Sequence, residues 1–235
     1  MTNTLSTNAV GAIFDTHSED YDAVTDASIA FSGIKANFFA RAKAHHLLAD
    51  MRKQFGATHS LDLLDVGCGI GKYFALLKDD VGSIQGVDVS DSSLTVARQR
   101  HPGIPATLYD GRRLPFPDNS FDVAYTVCVL HHVPPVHWQG FAEEMARVVR
   151  PGGRAYVFEH NPLNPLTRRA VNDCPYDADA VLLRPRDVRA LFASHCTRTE
   201  HILTIPAISG LPKLLDRAFA RLPLGAQYCM SVDVA

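Results

Sequence analysis

The sequence predicts an α/β fold in which a mostly parallel sheet carries helices on both of its faces. The run Leu61–Val66 is short and mostly apolar, as in a strand that is covered on both faces. Glycines occupy positions 67, 69 and 71, and apolar residues then resume at helical spacing. This pattern indicates a strand, a tight glycine turn and a helix. Further apolar runs alternate with helical patterns along the chain, as expected of such a fold.

The composition suits a globular protein with a neutral overall field. The chain has 235 residues, of which 46% are apolar and 20% are charged, enough for one large domain with a full core. The formal net charge is −2 and the sequence pI is about 6.6. No global positive field therefore attracts nucleic acid or an anionic membrane, and nucleic acid is not expected as a partner.

Cysteine usage and hydropathy predict a cytoplasmic location. The five cysteines are scattered and form no C-x-x-C pair, which favours free thiols in a reducing compartment. The first residues show no basic stretch followed by an apolar one, so no signal peptide is expected. No run of about 18 apolar residues is present, so no membrane span is expected.

The glycine turn and the next strand predict a nucleotide-like ligand. The spacing is Gly-x-Gly-x-Gly with Asp65 ahead of it, which differs from the dinucleotide fingerprint G-x-G-x-x-G. Asp88 follows Gly71 by seventeen residues and ends a second apolar run. A carboxylate at that strand tip can accept hydrogen bonds from both hydroxyls of a ribose. A nucleoside-bearing cofactor is therefore expected over the first two strands.

The run Asp65–Gly71 resembles motif I of the class I S-adenosylmethionine-dependent methyltransferases. The resemblance covers roughly residues 61–160 and continues in the family's order. Its further features are Asp88 as the ribose-binding acid, Asp110-Gly111 after the third strand, Leu114–Asp122 before the fourth strand, Val129–Val133 after it, and Arg147–Gly153 before the fifth strand.

The resemblance implies S-adenosyl-L-methionine as the cofactor and S-adenosyl-L-homocysteine as its product. It implies a Rossmann-like sheet of seven strands, whose last strand, 227–234, is antiparallel at the edge beside strand five. It also implies that Asp110 contacts the adenine amino group. The expected cofactor contacts are Tyr21, Asp65, Gly67, Cys68, Gly69, Gly71, Asp88, Val89, Asp110, Gly111, Cys128 and Val129.

Two of these contacts have an alternative interpretation. The ring of Tyr21 lies in a segment that covers the cofactor in the resembled family, where cation–π attraction to a sulfonium is worth about 0.5–2 kcal/mol. Tyr21 alternatively pins this segment to the domain. Cys128 is a cofactor contact by its position, or a small buried thiol.

The remaining elements follow from apolar spacing and capping residues. Residues 1–56 are expected to form a helical cap segment, 61–160 the cofactor-binding core, 161–184 an acceptor-side insert, and 185–235 a C-terminal helix-strand-helix-strand unit, all within a single domain, 1–235. Helices are expected over 34–55 (ended by Gly56), 72–79, 92–100, 138–149, 185–194 and 211–222, and strands over 105–109, 121–127, 154–158 and 197–205. The amphipathic helix 211–222 packs on the sheet, or lies on a membrane surface or a partner.

The catalytic residue is not determined by these patterns, but four candidates stand at the carboxyl ends of central strands. They are His131 and His132 after the fourth strand, and Glu159 and His160 after the fifth. A histidine has a pKa suited to taking a proton near neutral pH. The insert 161–184 is a natural lid or acceptor-recognition element. Along the sequence, histidines and carboxylates form no ligand-like cluster, so no metal ion is expected.

The sequence thus predicts methyl transfer from the cofactor to an oxygen, nitrogen or carbon atom of a small-molecule acceptor. Glycan-linked, lipid-linked and secondary-metabolite acceptors all remain open, as does the oligomeric state. A binding protein that holds the cofactor without turnover is an alternative. A nicotinamide-dependent oxidoreductase is disfavoured by the glycine spacing. A nucleic-acid acceptor is disfavoured by the missing basic stripe and by Cys128–His131 standing where an Asn/Asp-Pro-Pro-Tyr motif would be.

Overall fold

The computed structural model of the protein describes residues 21–202 and 225–235. Seven strands form one sheet: β1 (Asp62–Val66), β2 (Ser83–Asp88), β3 (Ala106–Leu108), β4 (Phe121–Val127), β5 (Val149–His160), β6 (Cys196–Ile202) and β7 (Gln227–Asp233). Their order across the sheet is β3-β2-β1-β4-β5-β7-β6. Strands β1 to β5 are parallel, and β7 runs antiparallel to both β5 and β6. The predicted fold class is confirmed.

One detail of the predicted topology is wrong. Strand β7 is not at the edge, because β6 pairs with its outer side. The burial of the two strands gives the reason. All residues of β7 except the last are buried, as in a strand with neighbours on both sides, whereas β6 is buried only at Ile202. The more exposed strand therefore occupies the edge of the sheet.

The helices are α1 (Tyr21–Ser28), α2 (Ala36–Phe55), α3 (Phe74–Leu77), α4 (Asp91–Arg100), α5 (Trp138–Arg147), α6 (Pro165–Asn172) and α7 (Pro185–Leu191). Short 3-10 turns lie at Ala30–Ser32, Leu130–His132, Pro135–His137 and Pro175–Asp177. As predicted, Gly56 ends α2 with a φ of 76°. The Ser90 hydroxyl caps α4 by accepting from the Ser93 amide at 3.1 Å.

Four helices are shorter than predicted. Helix α2 begins at Ala36 rather than 34. Helix α3 covers only part of 72–79, because the glycine turn occupies the residues before it. Helix α5 ends at Arg147 rather than 149, because Val149 already pairs with Phe121 at the start of β5. Helix α7 ends at Leu191 rather than 194. The predicted helix 211–222 and the end of the strand 197–205 lie outside the described residues.

The core lies on both faces of the sheet, because consecutive strand residues point to opposite sides. On one face, Leu64 packs in a cluster with Met145 of α5 and Val188 of α7. On the other, its neighbour Leu63 packs in a cluster with Met51 of α2. None of the helices in the described residues combines the length and apolar character needed to cross a membrane.

A buried ion network joins α2 to the sheet. The Arg154 guanidinium on β5 donates to Asp50 of α2 at 2.8 Å and also pairs with Asp233 of β7. The Tyr156 hydroxyl donates to the same Asp50 carboxylate at 2.9 Å, and Arg198 of β6 pairs with it as well. The network positions α2, one of the helices that cover the candidate site.

Candidate functional site

A cavity of about 320 Å³ lies at the carboxyl ends of the central parallel strands. Its wall is formed by the glycine turn after β1, by the segments that follow β2 and β4, by the end of β5, and by α1, α2 and α6. In open α/β sheets, ligands bind at this edge of the strands. The cavity is therefore the candidate functional site.

The three glycines of the turn have different tasks. All three have positive φ values, 79° for Gly67, 51° for Gly69 and 74° for Gly71, which glycine adopts without strain. A Cβ on Gly67 would lie 2.5 Å from Val129, and one on Gly71 would lie 2.8 Å from the ring of Phe74. A Cβ on Gly69 would meet nothing within 4 Å. Gly67 and Gly71 thus permit close packing, whereas Gly69 faces open space in the cavity.

Asp88 holds the glycine turn in place from the end of β2. Its Oδ2 accepts a hydrogen bond from the Gly69 amide at 2.7 Å, and its Oδ1 accepts one from the Ser90 amide at 2.9 Å. A carboxylate has about four lone-pair sites. The Asp88 side chain, which lines the cavity, can therefore also accept from the hydroxyls of a ribose.

Asp110 is the predicted adenine contact in the segment after β3. It is exposed, and its Oδ1 accepts from the backbone amides of Arg112 at 2.9 Å and Arg113 at 3.1 Å. The neighbouring Tyr109 and Gly111 line the cavity, but Asp110 does not. The contact between Asp110 and an adenine stays a prediction.

Most of the other predicted contacts are brought together. The predicted cofactor contacts on the cavity wall are Asp65, Gly67, Cys68, Gly69, Asp88, Val89, Gly111, Cys128 and Val129. Gly71 belongs to the turn but does not line the cavity. The side chain of Tyr21 lies outside the described part of the chain.

Asp65 is a buried acid on the cavity wall. Its side chain accepts a hydrogen bond from the Tyr125 hydroxyl at 3.0 Å, and the residue is 1% exposed. Burial raises the pKa of Asp65 to about 8, in spite of the Tyr125 hydrogen bond, and the nearby Asp88 adds to the increase. The folded protein therefore holds a proton at Asp65 that the unfolded chain releases near pH 4.

This proton makes the stability of the protein depend on pH in a defined direction. Because the folded pKa of Asp65 lies above the unfolded value, its contribution to the free energy of unfolding is fully present below pH 4. We expect this contribution to decrease by about 1.4 kcal/mol per pH unit as the pH rises toward 8. Asp65→Asn should remove this dependence of the free energy of unfolding on pH. Denaturant unfolding of the parent and the variant at pH 5.5 and 7.5 would measure it. Equal slopes for the two proteins would contradict the buried proton.

Cys128 lies at the point where β4 ends and has the unusual φ of 57°. Its Sγ is 3.6 Å from Lys43 Nζ and 3.6 Å from Gln227 Nε2. Burial favours the neutral thiol, but His160 and Lys43 outweigh it and lower the pKa of Cys128 to about 7. Cys128 thus lies on the cavity wall among polar groups, and its contact with a cofactor stays a prediction.

The four catalytic candidates divide into three that reach the cavity and one that supports them. His131, His132 and His160 line the cavity. Glu159 is fully buried behind His131: its Oε2 lies 2.5 Å from His131 Nδ1, and its Oε1 accepts from the Leu130 amide at 2.9 Å. Burial lowers the pKa of His131, but Glu159 and Asp177 more than compensate and raise it well above its ordinary value. Glu159 therefore holds the imidazole of His131 in place.

Several polar residues of the cavity were not among the predicted site residues, and Lys43 and Asp177 are two of them. Lys43 on α2 is buried, and no local pattern distinguishes it from the other basic residues of that helix. Asp177 lies in the turn Pro175–Asp177, within the insert 161–184 that the sequence marks as an acceptor-side element. Residues of this insert that line the cavity include Leu166, Val171, Tyr176 and Asp177.

Residues 64–157 match a family model that describes a methyltransferase domain. The chain is 38% identical over 110 residues to a demethylmenaquinone methyltransferase of Tropheryma whipplei. This match covers 46% of this chain and 45% of the relative. It is 32% identical over 157 residues to a ubiquinone/menaquinone biosynthesis C-methyltransferase of Burkholderia cenocepacia, which covers 64% and 59%. The chain thus spans about half the length of these curated relatives.

Solved structures share the fold over nearly the whole chain. A methyltransferase of Thermotoga maritima, described as a possible histamine N-methyltransferase, superposes with a TM-score of 0.68 at 16% identity and covers 96% of this chain and 100% of that one. A protein named as the [4+2]-cyclase SpnF superposes with a TM-score of 0.64 at 15% identity, covering 98% and 97%. At these identities the likeness concerns the fold.

Proposed function

We propose that this chain, which carries a methyltransferase domain at residues 64–157, transfers the methyl group of S-adenosyl-L-methionine to a small-molecule acceptor. The observation that carries the proposal is one continuous cavity. Its first half contains the glycine turn and Asp88, which suit the cofactor. Its second half lies under α6 and the turn Pro175–Asp177, where an acceptor would meet the methyl group.

The cofactor half offers complementary groups for each part of the molecule. Asp88 would bind the ribose, and Tyr109 and Gly111 would lie beside the adenine. Lys43, which is buried and lies 3.6 Å from Cys128, would supply positive charge for the carboxylate of the methionine part. The open space beside Gly69 would hold the chain that joins the two parts.

The chemistry requires mainly alignment, since the sulfonium methyl group is already activated. Holding the acceptor in line with the bond between sulfur and the methyl carbon can lower the barrier by roughly 7–11 kcal/mol. A proton acceptor is needed only when the acceptor must lose a proton. His131, His132 and His160 face the cavity and are the candidates for that task, with Glu159 holding His131 in position.

The acceptor half favours an apolar molecule. Leu166, Val171 and Tyr176 from the insert meet Phe38 and Phe39 from α2 around it. The two relatives described above are named for the methylation of quinone precursors, one of them explicitly at carbon. We place carbon of an apolar ring first among the acceptor atoms, with oxygen and nitrogen next.

The five cysteines, all free, support a cytoplasmic location.

The first test is calorimetric titration with S-adenosyl-L-homocysteine, with NADH in parallel. We expect micromolar binding of the first compound alone. Gly69→Arg should abolish it, because the new side chain would fill the open space beside the turn. Gly152→Arg is the matched control, since Gly152 also has a positive φ, a Cβ there also meets nothing within 4 Å, and the residue is outside the cavity. Binding of NADH alone would overturn the proposal.

A second candidate function is cofactor binding without methyl transfer. The similarity in fold to the [4+2]-cyclase favours this second candidate, because a protein named for another reaction has the same fold. Transfer of radioactive methyl groups from S-adenosyl-L-methionine to a panel of quinols and phenols separates the two. Binding without transfer to any member of the panel would favour the second candidate.

A further inference from the structure

Three potential metal ligands from distant parts of the chain meet in the cavity. One ligand atom from each of His131, His160 and Asp177 lies within 4.8 Å of the other two. We refer to these three residues as the histidine–aspartate cluster. His131 follows β4, His160 ends β5, and Asp177 ends the turn Pro175–Asp177. The cluster is formed by the fold, because no pair of its members is close in the sequence.

His131 is oriented as metal-binding histidines are. Its Nδ1 lies 2.5 Å from Glu159 Oε2, and its side chain is fully buried. A histidine that binds a metal almost always donates its other ring N–H to a carboxylate or a carbonyl, which directs the free lone pair at the ion. Here the Nε2 atom forms no hydrogen bond within the described residues, although Asp177 Oδ1 lies 3.5 Å from it. A buried nitrogen without a hydrogen bond is costly unless it binds something.

The distances in the cluster are compatible with an ion between its members. His131 Nε2 and Asp177 Oδ1 are 3.5 Å apart, and His132 Nε2 is 3.3 Å from the same oxygen. Hydrogen bonds from nitrogen to oxygen are about 2.7–3.2 Å long. Two ligands that bind one tetrahedral ion through bonds of about 2.0–2.2 Å are themselves roughly 3.3–3.5 Å apart. The first separation therefore equals that of two neighbouring ligands.

The charge of the cluster is also compatible with a bound cation. Asp177 has a side chain that is 12% exposed, and Glu159 is fully buried. With neutral imidazoles, these two carboxylates place a charge of −2 in the cavity wall. Either protons on the imidazoles or one divalent ion can balance it, because the two compete for the same lone pairs.

We propose that His131, His160 and Asp177 bind one divalent transition-metal ion, with Glu159 as the positioning residue behind His131. Two imidazoles and a carboxylate suit Zn²⁺, Co²⁺ or Fe²⁺, whereas Mg²⁺ and Ca²⁺ prefer oxygen ligands alone. The ion would have a free position toward the cavity. There it would bind an oxygen of the acceptor, such as that of a quinol or phenol, and hold it near the methyl group. Only this last role rests on the proposed function.

The test is titration of untagged, chelator-treated protein with Zn²⁺ and, for its visible absorption, with Co²⁺. We expect one ion per chain and no competition from Mg²⁺. Asp177→Asn and His160→Gln should each weaken binding by more than about 100-fold, and Glu159→Gln, which alters only the support of His131, by about 10–100-fold. His137→Asn, outside the cavity, is the matched control and should bind like the parent. Thermal unfolding of each variant shows whether it is folded.

Two results would overturn the metal site. One is the absence of stoichiometric binding of either ion to the parent protein. The other is unchanged affinity in a folded His160→Gln or Asp177→Asn protein, which would place the ion on other histidines. Titration of the same proteins with S-adenosyl-L-homocysteine separates this inference from the proposed function. Zn²⁺ binding without cofactor binding supports the metal site and contradicts the proposed function. Cofactor binding without Zn²⁺ binding supports the proposed function and contradicts the metal site.

Discussion

Asp88→Ala is expected to weaken binding of S-adenosyl-L-homocysteine by about 100-fold or more. The carboxylate would accept two hydrogen bonds from the ribose, and hydrogen bonds to a charged group contribute about 1.5–3 kcal/mol each. The substitution also removes the acceptor that holds the Gly69 amide at 2.7 Å, so the turn itself would lose its support. Calorimetric titration of the folded variant gives the change in affinity.

Asp110→Ala is the informative control for this prediction. Both acids match cofactor-binding positions that the resemblance implies, but Asp110 is exposed and its Oδ1 is engaged by two backbone amides. We expect its replacement to change the affinity by less than about threefold, well under 1 kcal/mol. A larger loss for Asp110→Ala than for Asp88→Ala would mean that the cofactor lies farther toward β3 than this cavity indicates.

Asp50→Ala is expected to destabilise the protein by about 3 kcal/mol, which for a chain of this length lowers Tm by roughly 6–12 °C. The variant leaves the buried Arg154 guanidinium without the carboxylate that it contacts at 2.8 Å and removes the acceptor of the Tyr156 hydroxyl. The loss stays at the low end for a broken buried pair, because Arg154 keeps Asp233. Thermal unfolding measures the effect.

Arg52→Ala serves as the matched control on the same helix. Arg52 forms an exposed pair with Asp80 at 2.6 Å, with side chains that are 50% and 35% exposed. Exposed pairs contribute about 0–1 kcal/mol, so Tm should change little. If Asp50→Ala and Arg52→Ala had equal effects, the buried network would not be what holds α2 against the sheet. Lys43 lies on the same helix, so loosening α2 should also weaken cofactor binding.

The features that the sequence predicted well depend on residues that are close together in the chain. The run Leu61–Val66, the three glycines and Asp88 lie within about thirty residues, and each carries a local physical signal. Apolar runs indicate strands, glycines permit positive φ, and a carboxylate ends the second strand. The fold class and the resemblance to S-adenosylmethionine-dependent methyltransferases are confirmed over the matched region.

Some site predictions stay untested for physical reasons. Gly71 and Asp110 match the pattern of the resembled family. In this structure Gly71 permits close packing of the turn, and Asp110 accepts a backbone hydrogen bond from its own loop. Whether Asp110 meets the adenine depends on the ligand. The ring of Tyr21 belongs to a segment whose covering role remains a prediction.

Only the tertiary structure decided where the distant polar residues meet. Lys43 and Cys128 are 85 positions apart in the chain, and their contact exists because α2 lies across the end of β4. His131 and Asp177 meet because the insert folds back over the same strand end. Local patterns therefore determined the sheet, the turn and the cofactor class, whereas the lysine, the histidine–aspartate cluster and the inner place of β7 arise from contacts between segments. Such contacts leave no periodicity or spacing in the sequence by which they can be recognised.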